Sequence, residues 1–171
     1  MLIHTTKSIS IAHFVQTADE DSPCRRLHGH TVKVEVEING DIQKDGMVVD
    51  YRRIKEIITR LDHKTLIPNE LVKYTTINDN EVSFIIDTGY SNMILPIRDC
   101  ILLDIPSITS EYLAIYLAEE INNIVADKCA FVSVRVWEGP NSYAEISVLR
   151  IQNLKSFNPN LYKLLSPINY C

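Results

Sequence analysis

Apolar and polar residues alternate over residues 2–13, with Ile9 and Ile11 on one face and His13 continuing it. That spacing predicts a strand. Phe14 to Pro23 is polar and acidic and predicts a loop. The alternation then resumes. His28, His30, Val32, Val34, Val36 and Ile38 fall on one face, with Lys33, Glu35 and Glu37 on the other. This is a half-buried strand with two histidines on its apolar side. Asn39-Gly40 and Asp45-Gly46 mark a loop, and Asp50 is placed to cap a helix whose face is Ile54, Ile57, Ile58 and Leu61. That helix runs out at Leu61-Asp62-His63.

Residues 67–104 carry no helical period. Glu81 to Asp87 and Asn92 to Asp104 are apolar and β-branched, and Thr88-Gly89-Tyr90-Ser91 divides them, which predicts a β-hairpin in an inserted arm. Ser107 to Ser110 offers caps for a second helix, with Glu111 in its first turn, where the helix dipole favours an acid. Leu113, Leu117, Ile121 and Ile124 form its apolar face, and it ends near Asp127. Val132, Val134 and Val136 then alternate with polar neighbours in a strand whose valine face closes on Glu138. Gly139 to Ser142 is a turn, and Tyr143 to Ile151 is the partner strand. The order is strand–strand–helix, then helix–strand–strand. It predicts one α+β domain over residues 1–151, an arm at about 67–104, and a C-terminal tail over 152–171.

Composition narrows the partners. With 46% hydrophobic and 23% charged residues, the chain reads as an ordinary globule. A net charge of −5 argues against nucleic acid as a general partner but leaves room for a local basic pocket. No apolar run approaches a membrane span, and the N-terminus reads as a strand rather than a signal peptide. The cysteines at 24, 100, 129 and 171 lack metal-finger spacing, so free thiols in a cytoplasmic setting are expected.

The candidate chemistry begins at Cys24-Arg25-Arg26-Leu27-His28-Gly29-His30. In a strand, His28 and His30 share a face with Cα atoms roughly 6.6 Å apart, within reach of one metal ion. Buried imidazoles need partners. With His13 arriving from a neighbouring strand, three histidines and one open position make the pattern of a catalytic zinc site. The competing reading of His13 is a half-buried ring satisfied by a backbone carbonyl. Glu138 on an apolar face must meet a cation or a hydrogen-bonding ligand, unless it reaches solvent at the strand end.

As a set, Ile11-Ala12-His13-Phe14, Cys24-x-x-x-His28-Gly29-His30, Leu61-Asp62-His63-Lys64, Thr109-Ser110-Glu111 and Trp137-Glu138 resemble the 6-pyruvoyltetrahydropterin synthase family. Within that family, the three-residue spacer before His28 looks most like the 6-carboxytetrahydropterin synthase branch. The resemblance implies a tunnelling fold, with a four-stranded antiparallel sheet carrying two helices on one face. It implies a homo-oligomer, trimeric or hexameric, with active sites between subunits. It also implies zinc held by His13, His28 and His30, with Cys24 as the proton-transferring thiol and Asp62 and His63 as its relay. Glu138 would anchor a pterin ring, with Thr109, Ser110 and Glu111 nearby.

The implied activity is a lyase acting on 7,8-dihydroneopterin triphosphate. It would yield 6-carboxytetrahydropterin, acetaldehyde and triphosphate, on the route through preQ0 to the queuosine-type bases of tRNA. Three alternatives stand beside it: elimination of triphosphate to give the pyruvoyl product, a non-catalytic pterin- or metal-binding protein of the same fold, and a generic three-histidine zinc hydrolase acting on esters or phosphates. The chemistry is consistent with the residue types. A carboxylate accepts two donors from a flat guanidine-like edge. A histidine oriented by an aspartate suits a proton shuttle. An unperturbed thiol is only about 3% thiolate at pH 7, so Cys24 needs nearby positive charge to serve as a base, and would otherwise be an inert thiol.

Overall fold

β1 (Leu2–His13) and β2 (His28–Gly40) form a long antiparallel pair, in register from Leu2 opposite Asn39 to His13 opposite His28. The computed structural model describes residues 1–78, 81–125 and 129–149. The tail expected over 152–171 lies outside these residues. β8 (Cys129–Gly139) pairs antiparallel with β2, and β9 (Ser142–Leu149) pairs antiparallel with β8. These four strands are the expected antiparallel sheet.

The sheet does not stop at four. β3 (Lys64–Pro68) adds beside β1 in parallel, and β7 (Cys100–Leu103) adds beside β3 in parallel. The full order is β7-β3-β1-β2-β8-β9, six strands rather than four. The added strands have both faces covered. Leu66 and Leu103 join the core under the helices, while Ile67 and Cys100 join a second core on the opposite face. Adjacent residues point to opposite faces, so a doubly covered strand reads as one short apolar run without alternation.

The arm also differs from a simple hairpin. β4 (Val72–Asn78), β5 (Glu81–Asp87) and β6 (Asn92–Pro96) make a three-stranded antiparallel sheet. The run expected as one strand over Asn92 to Asp104 is broken at Pro96, where a 3-10 turn over Ile97–Asp99 swings the chain back into the main sheet as β7. A matching turn over Asn69–Leu71 follows Pro68 where the chain leaves β3. Proline cannot donate to a ladder, so each marks a strand end. The arm packs through Phe84, Ile86, Met93 and Leu95 against Phe14, Ile67 and Cys100.

α1 (Tyr51–Thr59) and α2 (Ser110–Val125) cover the other face. Asp50 caps α1 as expected, accepting the Arg52 N–H at 2.9 Å. Ile54, Ile57 and Ile58 of α1, and Leu113, Leu117 and Ile121 of α2, bury against the valines of β2 and β8 and against Ile9 and Ile11. Each such side chain contributes about 1.5–3 kcal/mol when fully buried. Among the described residues, no helix is long and apolar enough to cross a membrane.

Candidate active site

The β1–β2 register assembles the histidines. His13 lies opposite His28, and Ile11 lies opposite His30. All three imidazoles therefore share one end of the helix-covered face, with ring centroids 4.5 to 5.2 Å apart. One ligand nitrogen from each lies within 4.8 Å of the others. Gly29 pairs with Ala12, and a Cβ there would sit 3.3 Å from the Ile11 carbonyl oxygen. The glycine thus serves close approach of the two strands at the site.

Two backbone carbonyls orient the rings. His13 Nδ1 donates to the Ile108 carbonyl at 2.7 Å, and His28 Nδ1 donates to the Arg26 carbonyl at 2.7 Å. Each neutral ring then carries its lone pair on Nε2, the arrangement that second-shell acceptors impose on metal-binding histidines. His13 Nε2 is buried without a hydrogen-bond partner. Burial is the chief cause that lowers the His13 pKa, opposed by the hydrogen bond to Ile108 and reinforced by the charge of His28. Burial thus favours the neutral ring, the form that binds a metal, against the nearby Glu138 carboxylate. Three imidazole nitrogens this close together, one of them buried without a hydrogen bond, fit a zinc ion. One His13 nitrogen satisfies a backbone carbonyl, as the competing reading expects, and the other faces the cluster.

Glu138 reaches the same place. It sits where β8 bulges against β9, since Trp137 pairs with Tyr143 and Gly139 with Ser142. A bulge re-aims the side chain it inserts. The Glu138 Oε1 lies 3.4 Å from His13 Nε2 and 3.6 Å from His30 Nε2. The acid on the apolar face therefore meets the histidines.

The remaining candidates stand around this cluster. Cys24 is exposed on a 3-10 turn (Pro23–Arg25), two residues before the carbonyl that orients His28. Its carbonyl accepts from the Val15 N–H at 2.8 Å, tying the turn to the end of β1. Asp62 and His63 follow α1. Asp62 Oδ1 accepts the Ser10 N–H at 2.8 Å, and the His63 N–H donates to the Ser10 carbonyl at 2.7 Å. His63 Nδ1 lies 3.1 Å from Asp62 Oδ1. The Ser10 N–H, with the His63 ring beside it, holds the Asp62 carboxyl below its usual pKa.

His63 adopts φ 57°, the left-handed region that few non-glycine residues occupy, and its side chain is 81% exposed. Among the described residues, neither Cys24 nor His63 hydrogen-bonds a member of the histidine cluster. Thr109 caps α2, accepting from the Tyr112 N–H at 3.4 Å, and Ser110 and Glu111 open the helix immediately after the Ile108 carbonyl.

Sequence patterning misses the carbonyls of Ile108 and Arg26 and the amide of Ser10, because every residue type offers a backbone group. It also misses Gln16 and Ser107. The Gln16 amide donates to the Pro106 carbonyl, and Ser107 Oγ donates to Gln16 Oε1 at 3.4 Å, fastening the loop after His13 to the approach to α2.

The fold has solved counterparts. A Plasmodium falciparum 6-pyruvoyl tetrahydropterin synthase superposes with a TM-score of 0.65 at 22% identity, covering 88% of this chain and 98% of that one. Among sequences, a Pyrococcus abyssi protein, provisionally named a 6-carboxy-5,6,7,8-tetrahydropterin synthase, is 37% identical over 146 residues, covering 85% of this chain and 89% of that one. A Haemophilus influenzae protein named 6-carboxy-5,6,7,8-tetrahydropterin synthase is 26% identical over 143 residues, 81% of this chain and 92% of its own length. The family model described as 6-pyruvoyl tetrahydropterin synthase matches residues 2–148, which include every strand that builds the histidine cluster, and this chain belongs to that family.

Proposed function

We propose that this chain is a zinc-dependent lyase converting 7,8-dihydroneopterin triphosphate and water to 6-carboxy-5,6,7,8-tetrahydropterin, acetaldehyde and triphosphate. The observation that carries this reading is the convergence of the His13, His28 and His30 ligand nitrogens within 4.8 Å, with His13 Nε2 buried without a hydrogen bond and the Glu138 carboxylate 3.4 Å away. The names of the relatives from Pyrococcus abyssi and Haemophilus influenzae favour the carboxy product. His13, His28 and His30 would hold the zinc ion, which would supply Lewis acidity toward the hydroxyl groups of the substrate side chain.

The chain's own groups carry the rest. Cys24, exposed on its turn, takes the carbon-bound proton as thiolate. His63, oriented by the Asp62 carboxylate at 3.1 Å, passes protons onward. Glu138 accepts two N–H bonds from the pterin edge, and Thr109, Ser110 and Glu111 border the ring from the start of α2. The exposure of Cys24 and His63 suits a site completed by a second copy of the chain in a trimer or hexamer. The product would then enter the route to the deazaguanine bases of tRNA.

The test is one incubation of zinc-loaded protein with dihydroneopterin triphosphate, read by mass spectrometry and an acetaldehyde assay. Acetaldehyde with a 6-carboxypterin species is expected. Triphosphate release with a pyruvoyl product and no acetaldehyde would move the chain to the other branch. Zinc binding with no turnover would leave a pterin- or metal-binding protein.

A further inference from the structure

Among the described residues, the arm meets the segment joining β1 to β2 at two points that matter for the candidate site. Phe14, the residue after His13, is fully buried in a core with the arm's Ile86 and Met93, which pair beside the turn joining β5 to β6. That turn carries Tyr90, and the Arg25 guanidinium carbon lies 5.4 Å from the centre of its ring. Arg25 is the residue after Cys24. A cleft of about 490 Å³ runs between the 20–26 loop and Gly89-Tyr90.

The turn is built to hold Tyr90 in place. Thr88 is buried, its N–H and hydroxyl both donate to the Ser91 carbonyl, and its oxygen accepts from the N–H groups of Tyr90 and Ser91 at 3.2 and 2.9 Å. Gly89 takes φ 74° and donates its N–H to Asp87 at 2.8 Å. The Cys24 turn is tied to the end of β1 through the Val15 N–H on the Cys24 carbonyl at 2.8 Å, but its own hydrogen bonds are longer. The Arg25 and Arg26 N–H groups donate to the Ser22 and Pro23 carbonyls at 3.2 and 3.1 Å, and the Cys24 N–H reaches Ser22 Oγ at 3.3 Å. Arg25 Nε is buried without a hydrogen bond, so packing on Tyr90 is the contact that locates the guanidinium group.

We propose that Tyr90 is a positioning residue: its ring clamps Arg25 and so orders the turn that presents Cys24. This rests on the lyase reading above, in which Cys24 handles the proton. The exchange experiment below needs no substrate, so it judges the clamp even if that reading fails.

Zinc-loaded wild type, Tyr90→Phe and Tyr90→Ala are compared by amide hydrogen exchange at residues 24–26. Loss of an exposed cation–π contact should accelerate exchange by about two- to fivefold in Tyr90→Ala, while Tyr90→Phe, which keeps the ring face, exchanges as wild type. Turnover should show a lower kcat in Tyr90→Ala with KM unchanged, and no further loss when Arg25→Ala is added. Unchanged exchange, equal acceleration in the phenylalanine and alanine variants, or a change in KM alone would overturn the proposal. Tyr90 is 59% exposed, so its truncation leaves the core intact.

Discussion

His13 donates its Nδ1 proton to the carbonyl of Ile108, 95 residues further along the chain, at 2.7 Å. One hydrogen bond thereby joins the last residue of β1 to the approach to α2 and fixes which nitrogen of His13 faces His28 and His30. A site assembled this way should depend on all three rings together. Replacing His28 by Ala, which removes a half-buried ring and leaves β2 paired, should lower zinc affinity by more than about 100-fold, beyond the range typical of losing an outer-shell partner. Metal content by mass spectrometry and a competitive chelator titration measure it. A variant that still holds one zinc per chain with near-native affinity would remove His28 from the ligand set.

Glu138 sits within 3.6 Å of two histidines, so it can serve as a metal ligand or as the pterin anchor, and Glu138→Gln separates the roles. The amide keeps the shape and loses the charge. If the carboxylate anchors the pterin, zinc stoichiometry stays at the wild-type value. Affinity for a pterin analogue then falls about 10- to 100-fold, the size of lost charge-assisted hydrogen bonds. Zinc loss with pterin affinity preserved would assign Glu138 to the metal instead.

Cys24 and Asp62 should fail in a different way. Cys24→Ala is expected to keep zinc and fold while turnover drops by about 10²–10⁴, the range of a lost general acid–base group. Asp62→Asn should lower kcat with little change in KM, because the asparagine oxygen can still accept the Ser10 N–H but no longer steadies a charged His63.

Asp62 also has a pH signature. Its folded pKa is lowered by the Ser10 N–H and by His63, so the unfolded chain binds the proton more readily. The stability it contributes is present above the unfolded value of about 3.9 and is lost as pH falls from there through the folded value. Asp62→Asn should flatten that part of the acid unfolding curve, and chemical denaturation between pH 5 and pH 2.5 reads it.

The histidine cluster was legible because strand periodicity is strict. His28 and His30 share parity with four buried apolar residues, and His13 shares parity with Ile9 and Ile11. Glu138 was legible for the same reason, as an acid on a valine face. β3 and β7 were not. Thr65 to Pro68 and Cys100 to Leu103 are short, parallel, and covered on both faces, so they show no alternation. Their pairing is decided by long-range packing, which a local pattern cannot express. The orienting carbonyls of Ile108 and Arg26 are equally silent in the sequence.

Phe14 gives the sharpest test of how the arm bears on the metal. Successive side chains of β1 point to opposite faces, so His13 turns toward the helices and Phe14 continues the chain into the arm's core, where it is fully buried with Ile67, Ile86 and Cys100. Truncating a buried phenylalanine typically costs about 3–5 kcal/mol, through lost transfer energy and the cavity left behind. Phe14→Ala should therefore lower the unfolding free energy by that amount. It should also loosen the end of β1 that places His13, and so weaken zinc binding although Phe14 itself offers no ligand atom. Phe14→Leu should recover most of both losses, because it refills the cavity. Denaturant unfolding of the metal-free protein separates the packing term from the zinc term. If Phe14→Ala loses stability while its zinc affinity stays at the wild-type value, the arm's core and the metal site are independent.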